Sequence, residues 1–146
     1  MTEASPTLTV HAAAVSWDGR AVLILGAAGS GKSGLALRLM ARGADLVADD
    51  RVVLSRMADG RLAARAPEAL SGMIEARGIG ILRVQVVAEA AVVLAVTLDE
   101  TPETRMPQSR TITYLDSTVR LISGRDLPNL DAVLTLFLQQ QAGLPD

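Results

Sequence analysis

Five consecutive apolar residues, Ala21-Val22-Leu23-Ile24-Leu25, are followed after a glycine-rich gap by Leu35, Ala36, Leu39 and Met40 at helical spacing. The first pattern predicts a buried strand and the second a helix with one apolar stripe, so residues 21–40 read as strand, loop, helix. Upstream, 7–16 is a predicted strand, and Trp17-Asp18-Gly19-Arg20 supplies an Asp-Gly turn that makes the pair a hairpin. Arg42-Gly43 stops the helix, and a short strand over 45–48 delivers Asp49-Asp50 at its end. Residues 52–56 and 61–65, around an Ala-Asp-Gly turn at 58–60, predict a second hairpin. Glycines interrupt the apolar segment 74–81, and the β-branched runs within 83–98 should hold a buried strand. The stretch 99–109, with Pro102 and Pro107 among charges, is a predicted exposed loop. Strands at 110–114 and 118–122 precede a helix over 128–141, with Pro128 in its first turn and Leu130, Val133, Leu134, Phe137 and Leu138 as its stripe. No repeat or linker divides the chain, so residues 1–146 are expected to form a single α/β domain.

Composition narrows the chemistry. With 146 residues, 49% hydrophobic and 21% charged, the chain can build a substantial core. A net charge of -2 gives no electrostatic footprint for nucleic acid, and Trp17, Tyr114 and Phe137 are the only side chains that could stack on bases. The absence of cysteine excludes disulfides, thiolate catalysis and zinc-cysteine sites. No segment approaches the roughly 18 apolar residues of a membrane span, and 1–6 is polar rather than a basic-plus-apolar leader. A cytoplasmic protein with no nucleic-acid or membrane partner is expected.

The gap between strand and helix reads Gly26-Ala27-Ala28-Gly29-Ser30-Gly31-Lys32-Ser33, an unbroken G-x-x-x-x-G-K-S phosphate-binding loop. Lys32 is the only lysine in a chain whose other basic side chains are arginine. Glycines at 26, 29 and 31 let the backbone bend round an anion, and the positive end of the following helix adds to the attraction. Lys32 would reach the β- and γ-phosphates of a nucleotide, and the Ser33 hydroxyl would ligate Mg²⁺.

Three carboxylate sets compete for the metal and catalytic roles. Asp49-Asp50 stand at a strand end near the loop, where alternate facing lets one meet a substrate hydroxyl while the other supports a different contact. Glu75 lies in the glycine-punctuated segment. Asp99-Glu100 follow the apolar run 92–98 and resemble the usual second nucleotide motif. By pattern alone the third set is favoured, against a plain acidic surface loop continued by Thr101-Pro102-Glu103-Thr104.

Taken together, His11, the loop 26–33, Leu46-Val47-Ala48-Asp49-Asp50-Arg51-Val52 and Ile74-Glu75-Ala76-Arg77-Gly78-Ile79-Gly80-Ile81 resemble the catalytic domain of bacterial HPr kinase/phosphorylase. The A-D-D-x-V and I-E-x-R-G-x-G-I elements are specific, the match runs from about residue 8 to 84, and Ser123-Gly124-Arg125-Asp126 is a weaker echo. The family's usual chain is about twice as long, so the resemblance is to its short alphaproteobacterial form.

That resemblance implies an α/β P-loop kinase fold of the HPr kinase/PEP carboxykinase-like type. It implies an ATP-dependent protein-serine kinase acting on the phosphocarrier HPr, and the reverse phosphorolysis of phosphoseryl-HPr by inorganic phosphate to give pyrophosphate. On this reading Asp49 accepts the serine proton and Asp50 assists it electrostatically. Glu75 and Ser33 hold Mg²⁺, Lys32 and the loop backbone cradle the phosphates of ATP or pyrophosphate, and Arg77 and Arg125 stabilise transferred-phosphoryl charge. A homo-oligomer, hexameric in the family, is implied as well. Two departures stand out: Ala28 occupies a position where family loops commonly carry serine, and Ser-Gly-Arg-Asp replaces the family's P-G-R-N. The alternatives are a generic P-loop small-molecule kinase or NTPase, in which Asp99 takes the place of Asp49, and a nucleotide-sensing scaffold with little turnover.

Overall fold

The computed structural model describes residues 6–140 and 143. Most of the polar N-terminal stretch, 1–5, and Gln141 at the expected end of the last helix lie outside them. A nine-stranded mixed sheet is built around β3 (Arg20–Leu25), which runs antiparallel to β2 (Ala12–Trp17) and parallel to β9 (Ala90–Thr97). Outside β2 lies β4 (Asp45–Ala48). The far edge of β9 is shared. Its first residues pair with β6 (Leu62–Arg65), which leads on to β5 (Val52–Arg56) and β1 (Thr7–Val10), while its last residues pair in parallel with β11 (Ser117–Ser123), itself paired with β10 (Arg110–Tyr114).

This topology explains why the central strands read as continuous apolar runs, since both of their faces are covered. On one face Ala13, Val15, Val22, Ile24, Leu94 and Val96 pack against α1 (Lys32–Ala41) and α2 (Leu130–Gln140). On the other, Ala12, Ala14, Leu23 and Ala95 meet Leu54, Leu62 and Ala64 of the curled β5–β6 limb. Helix α1 ends at Gly43, whose φ of 110° admits the reversal and whose missing Cβ leaves room for the Trp17 ring. A short 3-10 turn (Glu68–Leu70) leads to a separate hairpin of β7 (Met73–Ala76) and β8 (Gly80–Arg83).

Three expected elements differ in extent. The strand expected over 7–16 is broken at His11, because β1 pairs with β5 while β2 pairs with β3 and β4, and the chain bends to change partners. Within 83–98 the buried strand is confined to β9. Arg83 closes the β7–β8 hairpin, and Val86 makes one parallel bridge to Leu46. Helix α2 begins at Leu130 rather than Pro128, after Leu127 and Leu130 close successive turns. The expected exposed loop at 99–109 and the strands on either side of residues 115–116 are observed.

Candidate active site

The glycine-rich loop leaves β3 at the end of the sheet where β9 and β4 also finish. Gly31 stands at the N-cap of α1 with φ 102°, and no side chain caps the helix there. The first N–H groups of α1 therefore face the hollow of the loop without side-chain competition. Lys32, 7% exposed, folds back so that Nζ donates to the carbonyls of Gly26 at 2.7 Å and Ala27 at 3.0 Å. The Ser30 amide closes a turn on the Ala27 carbonyl, and the missing Cβ of Gly26 is filled by the Ser30 side chain.

The carboxylates behind the loop divide into a buried and an exposed member. Asp49 is 6% exposed, and both of its oxygens are occupied: Oδ1 accepts the Ser33 hydroxyl at 2.6 Å and Oδ2 accepts the Glu75 amide N–H at 3.1 Å. One residue on, the Asp50 side chain is 59% exposed and takes Nε2 of His11 at 2.9 Å. Its backbone is unusual. Asp50 has φ 70°, and the Arg51 amide bonds to the Asp49 carbonyl at 2.8 Å, a tight γ-type turn that a non-glycine residue adopts only under constraint. The Ala12 amide, bonded to the Asp50 carbonyl, supplies part of that constraint. The two carboxylates thus differ in their surroundings. Asp49 is tied to the loop serine and the β7 backbone, whereas Asp50 is the carboxylate open to an incoming group.

Glu75, exposed on β7 beside Asp49, projects from a strand whose Ile74 and Ala76 are buried. Among the described residues no three His, Cys, Asp or Glu side chains converge on a metal site. The Ser33 hydroxyl with Asp49 and Glu75 nevertheless suits Mg²⁺, which keeps waters and phosphate oxygens beyond one or two carboxylates. Arg77 lies in the turn between β7 and β8 and makes no hydrogen bond or ion pair with the described residues. Arg125 follows β11, with only a 3.8 Å contact to Asp126.

Two clefts flank the loop. One of about 660 Å³ runs past Gly29, Gly31, Arg38, Arg125 and Asp131. The other, about 560 Å³, opens on the His11 side toward Arg110, Ile112 and Tyr114, where burial pushes the Tyr114 phenol up. Pattern reading left Asp99 between a nucleotide motif and a surface acid. The structure gives it a definite partner, the Ala27 N–H at 2.9 Å. The His11–Asp50 pair was also hidden, since it is formed by the bend between β1 and β2 rather than by spacing.

Comparison with known proteins gives a consistent result. The family model described as HPr Serine kinase C-terminal domain matches residues 2–105. An HPr kinase/phosphorylase of Bordetella petrii is 46% identical over 83 residues, 57% of this chain and 27% of that protein. One of Brevibacillus brevis is 40% identical over 89 residues, 61% of this chain and 29% of that protein. The chain thus aligns with under a third of the length of these relatives. A solved structure, the Hpr(Ser) kinase/phosphatase from Coxiella burnetii, superposes with a TM-score of 0.76 at 30% identity, covering 92% of this chain and 95% of that one.

Proposed function

The chain belongs to the HPr serine kinase C-terminal domain family, and on that premise we propose that it is an ATP-dependent protein-serine kinase acting on HPr, with phosphorolysis of phosphoseryl-HPr as its reverse reaction. The observation that carries this reading is the Ser33–Asp49–Glu75 connection, which joins the loop, the Asp-Asp element and the glycine-punctuated hairpin in one site. A generic phosphate-binding loop does not require that hairpin.

In the forward direction the α1 N-terminus, the loop amides and Lys32 hold the phosphates of ATP. Ser33, Glu75 and Asp49 would hold Mg²⁺, which would supply positive charge to offset the negative charge of the phosphates. Asp50 takes the proton of the HPr serine hydroxyl as its oxygen bonds to the γ-phosphorus, and the bond to the β–γ bridging oxygen breaks to leave ADP. His11 fixes the orientation of the Asp50 carboxylate through Nε2. In reverse, an oxygen of inorganic phosphate attacks the phosphoseryl phosphorus, the serine oxygen leaves, and Asp50 returns the proton. Pyrophosphate is the second product. Arg77 and Arg125, free of strong partners among the described residues, would meet charge on the transferred group, and Arg125 lines the cleft beside the loop.

Mg²⁺ dependence, ATP or pyrophosphate as donor, a cytoplasmic location and a homo-oligomer, hexameric by family resemblance, belong to the same proposal. No helix among the described residues is long and apolar enough to cross a membrane. The deciding experiment supplies the purified chain with ATP, Mg²⁺ and either HPr or small hydroxyl acceptors, then adds phosphate to the phosphorylated product. Seryl phosphate on HPr and release of pyrophosphate are expected. Transfer to small acceptors in preference to HPr would favour the generic kinase.

A further inference from the structure

Of the three carboxylate sets the sequence singles out, Asp99-Glu100 is the one to which the proposed reaction gives no part. Asp99 lies two residues beyond the end of β9 and is exposed, yet its Oδ1 accepts the Ala27 N–H at 2.9 Å. The segment that carries it is pinned on both sides. Leu98 N–H bonds to the Leu25 carbonyl at the root of the loop, while Gly124 and Arg125 donate to the carbonyls of Thr97 and Glu100. The Asp99 amide is in turn satisfied by the Thr97 hydroxyl at 3.2 Å. Asp99 and Ala27 line both clefts, so their hydrogen bond forms part of the wall between them.

We propose that Asp99 is a positioning residue: through the Ala27 N–H it fixes the first turn of the loop 26–33 and so sets the loop's affinity for phosphate anions. The inference rests on the reading that this loop binds phosphates. A carboxylate at this place has two opposed effects. Its oxygen steadies the loop, while its negative charge repels the bound anion by an amount that solvent and salt reduce. Asparagine keeps an acceptor oxygen without the charge, and alanine removes both, so the two substitutions separate the effects.

The test titrates the wild-type chain, Asp99→Asn and Asp99→Ala with pyrophosphate and Mg²⁺ by calorimetry at low and high salt, with thermal melts to confirm folding. Asp99→Asn is expected to bind pyrophosphate at least as tightly as wild type, with any gain shrinking as salt rises. Asp99→Ala should bind about fivefold more weakly than Asp99→Asn, the effect of one lost hydrogen bond. The difference should appear in the KM for ATP, with kcat little changed. Equal affinities of the two variants would overturn the proposal. So would an Asp99→Asn chain that binds pyrophosphate normally but no longer turns over, because Asp99 would then act in the chemistry itself. Lys32→Ala serves as the control. If that variant still binds pyrophosphate, the phosphate-loop reading itself fails, independently of Asp99.

Discussion

The loop between β3 and α1 and the hairpin β7–β8 converge on the same carboxylate but are built in opposite ways. The loop rises from β3, in which Ala21, Val22, Leu23 and Ile24 are fully buried, and Leu35, Ala36 and Leu39 of the helix that follows it are buried as well. The hairpin has one foot in that core, Ile74 at 1% exposure. Its second strand is exposed throughout, and Ile79 in the turn is 82% exposed. A donor site that must present several amide groups in fixed directions benefits from such a scaffold, because the geometry is settled before the ligand arrives. The hairpin instead contributes through its backbone. The Glu75 amide on Asp49 is the tie, and Glu75 and Arg77 are carried outward from it.

The comparison breaks most sharply at Lys32. Lys32→Ala should lower phosphoryl transfer by about 10³-fold or more, since it removes the one ammonium that can turn from the Gly26 and Ala27 carbonyls to the transferring phosphate. The melting curve should change little, because the hydrogen bonds of the Lys32 side chain among the described residues go only to loop carbonyls. Retained transfer would remove the loop from the mechanism. Next in size is the division within the acidic pair. Asp50→Asn should reduce both HPr phosphorylation and phosphorolysis by about 10² to 10⁴-fold, with ATP binding intact. Asp49→Asn should instead raise the Mg²⁺ requirement, as Asp49 is held between Ser33 and Glu75. The reverse pattern would restore Asp49 as the base.

The scaffolded half was the legible one. Contiguous apolar residues at 21–25 and helical spacing from Leu35 to Met40 foretell β3 and α1, because both are dictated by burial against a core. What pattern could not supply is the bend at His11. No glycine or proline marks a break within 7–16, and only the choice of partner strands divides it. For the same reason the different surroundings of Asp49 and Asp50 were not legible. Two adjacent carboxylates read alike in sequence, and their difference arises from a positive φ at Asp50 and from a hairpin 26 residues away along the chain. Asp99 was seen but its partner was not, since acceptance of a loop N–H leaves no trace in composition or spacing.

The hairpin half is probed more gently. Glu75→Gln exchanges a carboxylate for a neutral amide oxygen, a weaker ligand for a hard cation. The Mg²⁺ concentration for half-maximal transfer should rise several-fold, while the Glu75 amide bond to Asp49, a backbone contact, survives the substitution. Superimposable magnesium titrations would reduce the hairpin to that backbone tie.

The smallest effect is expected at Arg125, and it tests whether an exposed arginine can share the work of the preset loop. Arg125 is 60% exposed, and its nearest carboxylate, Asp126, lies 3.8 Å away and is itself 79% exposed, so the guanidinium is weakly held and strongly hydrated. A donor that must be ordered when the acceptor docks contributes less than one already aimed at the developing charge. Arg125→Ala should therefore slow HPr phosphorylation by roughly tenfold, below the usual effect of a preset donor. ATP binding should be unchanged, because the loop and Lys32 hold the phosphates. The backbone amide of Arg125 still bonds the Glu100 carbonyl in the variant, so the local fold is retained. Normal turnover across a range of HPr concentrations would show that the Ser-Gly-Arg-Asp segment takes no part in transfer. A loss of ATP affinity would place Arg125 with the donor cleft instead.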